Sequence, residues 1–247
     1  MSDHLPGTVV DSLSDYLGYV EESCGNFRKP LFRGHADETW SLVPRLGRVA
    51  PPRGSTLRET ESRMFLEFKR RAIPHFVQRP SSDWEWLAIA QHNGLPTRLL
   101  DWTGNPLAAL WFAVNQDVGK RGRGGVWILH AFEDDYVDSL PNGRGASPFG
   151  IAEGTRVFRP EHSSPRITAQ DGWFTLHHLR NENRFIPLEG HARYHKRLSY
   201  VAVPATRFAK LRAELDRCGV HSAALFPDLP GLAQHLATEC HTSKPPK

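Results

Sequence analysis

The 247-residue chain has only three cysteines, Cys24, Cys218 and Cys240, and they lie far apart. That number and spacing exclude a disulfide framework and offer no paired ligands for a metal, so reduced thiols are expected. No apolar run approaches the roughly 18 residues of a membrane span. The opening residues, MSDHLPGTVVDSL, lack the basic-then-apolar pattern of a secretory signal. A cytoplasmic protein with no membrane partner is the expectation. No internal repeat or low-complexity tract is present. No glycine-rich loop of the dinucleotide or Walker type follows an expected strand, which argues against both of those nucleotide folds. There is no Gly-x-Ser-x-Gly elbow and no cysteine beside a candidate histidine, so nucleophilic hydrolases fit poorly.

What is present is a globular composition, with 39% hydrophobic residues, seven Trp and thirteen Phe. The length suffices for one large domain or two small ones. The net charge of +4, with thirteen histidines in reserve, favours an anionic partner such as nucleic acid or a phosphorylated ligand.

Apolar spacing predicts a helix over Val9 to Glu22, a long one from Ser55 to Val77 and a short one from Trp84 to His92. Asn93-Gly94 should stop the third of these. Asn105 followed by Pro106 should open an apolar helix ending near Val114. Strands are expected at Lys29 to His35, Val126 to Phe132, Val157-Phe158, Arg166 to Ala169, Trp173 to Leu176 and Leu198 to Val203. Later helices are expected over Pro204 to Cys218 and Leu229 to Leu236, with Lys120 to Gly125 as a basic loop and Asn142-Gly143 as a turn. Intermixed helices and strands, with most strands after Gly94, fit an α+β domain with a mixed sheet.

The most informative stretch is QHNGLPTRLLDWTGNPLAALWFAV, from Gln91 to Val114. It delivers His92, Thr97, Arg98, Asp101, Trp102 and Thr103 to the door of an apolar helix. Polar groups at such a place are costly unless paired or used. Leu31-Phe32-Arg33-Gly34 repeats the arrangement in miniature. These segments, with Gln170-Asp171-Gly172-Trp173-Phe174 and Leu225-Phe226-Pro227-Asp228-Leu229, resemble the FRG domain family, whose Phe-Arg-Gly motif stands here as Phe32-Arg33-Gly34. The resemblance divides the chain into a helical segment at 1–28, the FRG domain at 29–240 and a disordered tail at 241–247.

The layout also resembles an ADP-ribosyltransferase. That likeness implies a single α+β domain with a helical N-terminal half packed on a split mixed sheet. It implies NAD as substrate with no metal, and transfer to a macromolecule, RNA or DNA among the candidates. A toxin or anti-phage role with an antitoxin or chaperone partner goes with it. Arg33, Asp101 and Gln170 would be catalytic. Phe32, Arg33, Gly34, His92, Thr97, Arg98, Trp102, Thr103 and Phe174 would bind the dinucleotide. Arg33 would grip phosphate or ribose oxygens, which suits a guanidinium; a structural tie between strand and loop is the plain alternative. Gly34 would let the ligand approach the backbone. Trp102 and Phe174 would frame the rings, unless they are core aromatics. Thr103 would bond the ligand or cap the next helix, and Arg98 would meet a phosphate or pair with Asp101.

The third segment carries Gln170 and Asp171 where this resemblance leads one to expect a glutamate. Glu182 and Glu189 are the nearby substitutes. A non-catalytic module that recognises a nucleotide or nucleic acid is therefore the alternative function. A metal-independent nuclease using His92 or His177 with Asp101 is a third. His177, His178, His191 and His195, with Arg180, Arg184, Arg193, Lys196 and Arg197, make a basic stretch. It is either a solvated surface or a track for phosphates.

Overall fold

The computed structural model describes residues 7–25, 29–116, 122–141, 143–151, 154–161 and 165–242. In chain order the elements are β1 (Thr8–Val9), α1 (Leu13–Cys24), β2 (Leu31–His35), α2 (Leu57–Ala72), α3 (Asp83–His92), β3 (Leu99–Thr103) and α4 (Pro106–Val114). There follow β4 (Arg123–Leu129), β5 (Arg156–Phe158), α5 (Pro165–Ala169), β6 (Gly172–Leu176), β7 (Leu198–Pro204), α6 (Phe208–Arg217), α7 (Ser222–Leu225) and α8 (Leu229–Thr242). Among the described residues no helix is long and apolar enough to cross a membrane.

The strands form one seven-stranded sheet in the order β1-β7-β4-β2-β3-β6-β5. β1 runs parallel to β7 and every other pair is antiparallel, so the sheet is mixed. The pairing of β2 with β4 extends over the whole of β2, whereas β2 meets β3 at one position only, Phe32 opposite Thr103. The sheet therefore parts between β2 and β3.

Alternation along the strands sorts the core into two faces. On one face Phe32, Val126, Ile128, Val201 and Val203 pack against the apolar sides of α1, α4 and α6. Further along the same face Leu99, Phe174 and Leu176 meet α2 and α3 through Phe65, Trp84 and Leu87. On the other face Leu31, Leu100, Trp102, Trp127 and Leu129 are covered by Leu42, by Leu188 of a short 3-10 turn and by Tyr194.

Local chemistry explains most boundaries. Thr56 caps α2 and forms a reciprocal capping box with Glu59, one residue beyond the expected Ser55. Ser82 caps α3 by accepting from the Glu85 N–H. Gly94 ends that helix at φ 84°, a conformation glycine adopts at little cost. Asn105 accepts from the N–H groups of Leu107 and Ala108, and Pro106 opens α4 as expected.

Some expectations fail. Val9 belongs to β1, so the first helix starts at Leu13. Arg166 to Ala169 is helical, not a strand. The segment Arg123–Gly125, expected as loop, is the start of β4. Lys120, Asn142 and the tail after Thr242 lie outside the described residues.

Candidate functional site

The parting of β2 from β3 opens a cleft of about 640 Å³, lined by both strands, by the end of α3, by the segment from His35 to Val49 and by α5. That volume is within the range of small-molecule sites. Its charged lining is Arg33, Arg45, Arg48 and Arg166 against Asp101, a formal surplus of three positive charges. His92 also lines the cleft, and burial, with Arg166, lowers its pKa while Asp101 and Asp228 oppose the shift.

Arg33 lies across the gap. Its Nη1 donates to the backbone carbonyl of Asp101 at 2.6 Å and stands 3.8 Å from that residue's Oδ2. Its Nε donates to His35 Nε2 at 3.0 Å. The Asp101 carboxylate is 57% exposed and accepts from Gln91 Nε2 at 2.9 Å. Gln91 is held in turn by Thr97, whose hydroxyl donates to Gln91 Oε1 at 2.7 Å and accepts from the Leu99 N–H. Burial first, then Arg33 and Arg48, push the His35 imidazole well below its ordinary pKa, against a contribution from the Trp40 backbone.

Two further arginines are aimed by backbone carbonyls. Arg45 Nη1 donates to Gly94 O at 3.0 Å, and Arg48 Nη2 to Val43 O at 2.9 Å. The Arg166 guanidinium lies 4.2 Å from the centre of the Phe226 ring. Carbonyl and ring contacts, not close ion pairs, hold Arg45, Arg48 and Arg166, with Asp228 and Asp101 near enough to favour the Arg166 charge, and a cleft so lined favours a multiply charged anion.

The model of the FRG domain family matches residues 28–121. Over those residues, fewer than half of the chain, the protein is similar to an FRG domain. The matched span holds Arg33, His35, Arg45, Arg48, Gln91 and Asp101, while Arg166 and Gln170 lie beyond it. No curated protein and no solved structure matches the chain.

Of the residues expected at the FRG site, Phe32, Arg33, Gly34, His92, Asp101, Trp102, Thr103 and Gln170 line the cleft. Their roles differ from expectation in several cases. Gly34 does not clear space for a ligand on its Cα side, because a Cβ there would collide with the Ala109 carbonyl and the Ala113 N–H of α4. Trp102 alternates to the face opposite Asp101, is buried, and donates its indole N–H to Thr175. Thr103 neither caps α4 nor stands free; it donates to the Gln170 carbonyl and accepts from the Asn105 N–H. The Gln170 side chain donates to Leu225 O at 3.0 Å.

Thr97, Arg98 and Phe174 stand outside the cleft. Arg98 is buried in a bidentate pair with Glu61 and does not meet Asp101. Phe174 stacks on Phe158 at 5.3 Å within the α2–α3 core. Neither substitute glutamate reaches the site: Glu182 pairs with Arg58 on the surface and Glu189 accepts from the Leu42 N–H.

His177 is buried, bonds Thr175 at 2.9 Å and lines no part of the cleft. Arg193 and Arg197 of the basic stretch converge on the fully buried Asp135, which makes them structural and not a phosphate track. Of the cationic residues that line the cleft, Arg33 was expected, but Arg45, Arg48 and Arg166 were missed. Arg45 and Arg48 come from an irregular segment with no periodicity to read, although PRLGR around Gly47 does place two arginines a turn apart.

Proposed function

We propose that the protein binds NAD as a substrate in the β2–β3 cleft and transfers its ADP-ribose to a macromolecule. The observation that carries this reading is Arg33, held across a parted sheet in a cleft with a surplus of positive charge. A pyrophosphate presents paired anionic oxygens, and guanidinium forks match them.

In the transfer the bond from ribose C1′ to the nicotinamide nitrogen breaks, and its electron pair leaves with neutral nicotinamide. A nucleophile on the acceptor then bonds to C1′ and gives up its proton. Asp101 would orient a ribose hydroxyl or take that proton, and the hydrogen bonds from Gln91 to its carboxylate and from Thr97 to Gln91 support that role. Gln170 contributes polar lining, not a base, since an amide does not titrate. Rate acceleration would come from placement and fixed charge. RNA, DNA and protein all remain acceptors compatible with this chemistry. Action as a toxin or anti-phage effector, with an antitoxin or chaperone partner, belongs to the same proposal.

A second reading has one observation in its favour: Asp101 is the sole carboxylate among the described residues of the cleft, and no glutamate lines it. A binding module for nucleotides would need no more. Incubation with NAD labelled in its adenylate portion, with RNA, DNA and cell lysate, separates the readings. Label on a macromolecule supports transfer. Released nicotinamide without a labelled macromolecule means hydrolysis of NAD. Binding without either product supports the module.

A further inference from the structure

We infer that His35 is a positioning residue that takes one edge of the Arg33 guanidinium so that the remaining edge faces an anion in the cleft. The inference rests on the reading of this cleft as an anion site and adds the device that orients its central cation.

The geometry is a three-point arrangement. β2 places Arg33 and His35 two residues apart, hence on the same side of the strand. Arg33 Nε donates to His35 Nε2 at 3.0 Å, and Nη1 donates to Asp101 O at 2.6 Å. Nη2 has no protein partner among the described residues. Arginine carries five N–H donors and no acceptor, so the Nε contact has one sense only. His35 Nε2 must be the bare nitrogen, and the ring proton must sit on Nδ1. The imidazole is held in place by its surroundings: it is 2% exposed and packs edge-on against Trp40 at 5.9 Å between ring centres.

The Trp40 backbone lies within reach of the ring and favours a proton on it, while Nε2 is the acceptor offered to Arg33. Without that acceptor the guanidinium is free to turn about its last torsions, and the alignment of Nη2 with the cleft is lost.

The test is calorimetric binding of NAD and of inorganic pyrophosphate to the full chain and to Arg33→Ala, His35→Leu and His35→Gln. Glutamine is neutral, and its Oε1 can reach close to the position of the histidine Nε2. Loss of a hydrogen bond to a charged group should weaken binding roughly tenfold in His35→Leu, and His35→Gln should recover most of it. Wild-type affinity in His35→Leu, with binding lost in Arg33→Ala, overturns the positioning role alone. Equal losses in the leucine and glutamine variants also overturn it, since they make the ring shape the cause. Wild-type affinity in Arg33→Ala overturns the reading of the cleft itself. Should His35→Leu fail to fold, the tautomer decides in the unaltered chain. Nitrogen-15 NMR at neutral pH should find the His35 proton on Nδ1, and a proton on Nε2 contradicts the inference.

Discussion

Arg33 Nη1 and the backbone carbonyl of Asp101 are 2.6 Å apart, joined across the place where β2 and β3 cease to pair. One side chain thus replaces the ladder bonds that the parted strands lack there. It also holds the floor of the cleft. Lysine keeps the charge but lacks the fork, so it cannot serve His35 and Asp101 together. Arg33→Lys should lower NAD affinity roughly tenfold or more. Calorimetry would measure that loss, and thermal unfolding should show a small change beside it.

Gly34 has a different kind of requirement. A methyl group at this position would enter the α4 backbone at Ala109 and Ala113, which cannot yield as a side-chain end can. Gly34→Ala should destabilise the fold by about 1–3 kcal/mol or more through overpacking. Denaturant unfolding measures this directly. A neutral result would mean that α4 is free to move off the sheet.

The Glu61–Arg98 pair is buried on both sides and ties α2 to the residue that leads into β3. Removing one partner leaves a charge without its counterpart in a dry place. Glu61→Ala should cost about 3–5 kcal/mol. The double change Glu61→Leu with Arg98→Met should cost distinctly less, because it removes both charges. Comparing the two by urea unfolding tests whether Arg98 is structural, as its contacts imply, or serves the ligand.

Acid should destabilise the protein through His177. Burial, then His191 and Arg33, push this imidazole down to about 3, whereas an unfolded chain titrates near the ordinary value of about 6.5. Between those values the unfolded chain holds a proton that the folded chain refuses. Stability from this group is therefore complete above pH of about 6.5 and is lost as pH falls, by roughly 1.4 kcal/mol per pH unit. His35 adds to the loss with the same sign. His177→Gln should flatten the slope of unfolding free energy between pH 4 and 6 by roughly one proton's worth. An unchanged slope would show that His177 is protonated in the folded protein.

The sequence carried the elements around the cleft more clearly than the cleft itself. Asn105-Pro106 and Asn93-Gly94 are local signals, decided by capping and backbone preference, and both boundaries stand where those rules put them. Arg33 and Asp101 were legible as a pair because each is a polar residue within an apolar strand. Which polar residues turn inward is not local. Arg98 and Asp101 are three apart on one run, yet Arg98 turns to Glu61 in α2 and Asp101 turns to the cleft. Only packing decides that. The same holds for Trp102, whose alternation away from Asp101 follows from strand geometry once β3 is known to extend to it. Arg166 misled because a short apolar alternation reads equally as strand or as a single helical turn.

The most direct measurement is the structure of a crystal grown with NAD. Dinucleotide density is expected in the β2–β3 cleft, with pyrophosphate oxygens in hydrogen-bond reach of Arg33 Nη2 and the ribose next to the nicotinamide near Asp101. Well-ordered NAD bound elsewhere, with Arg33 still engaged only by His35 and Asp101, would contradict the reading of the cleft.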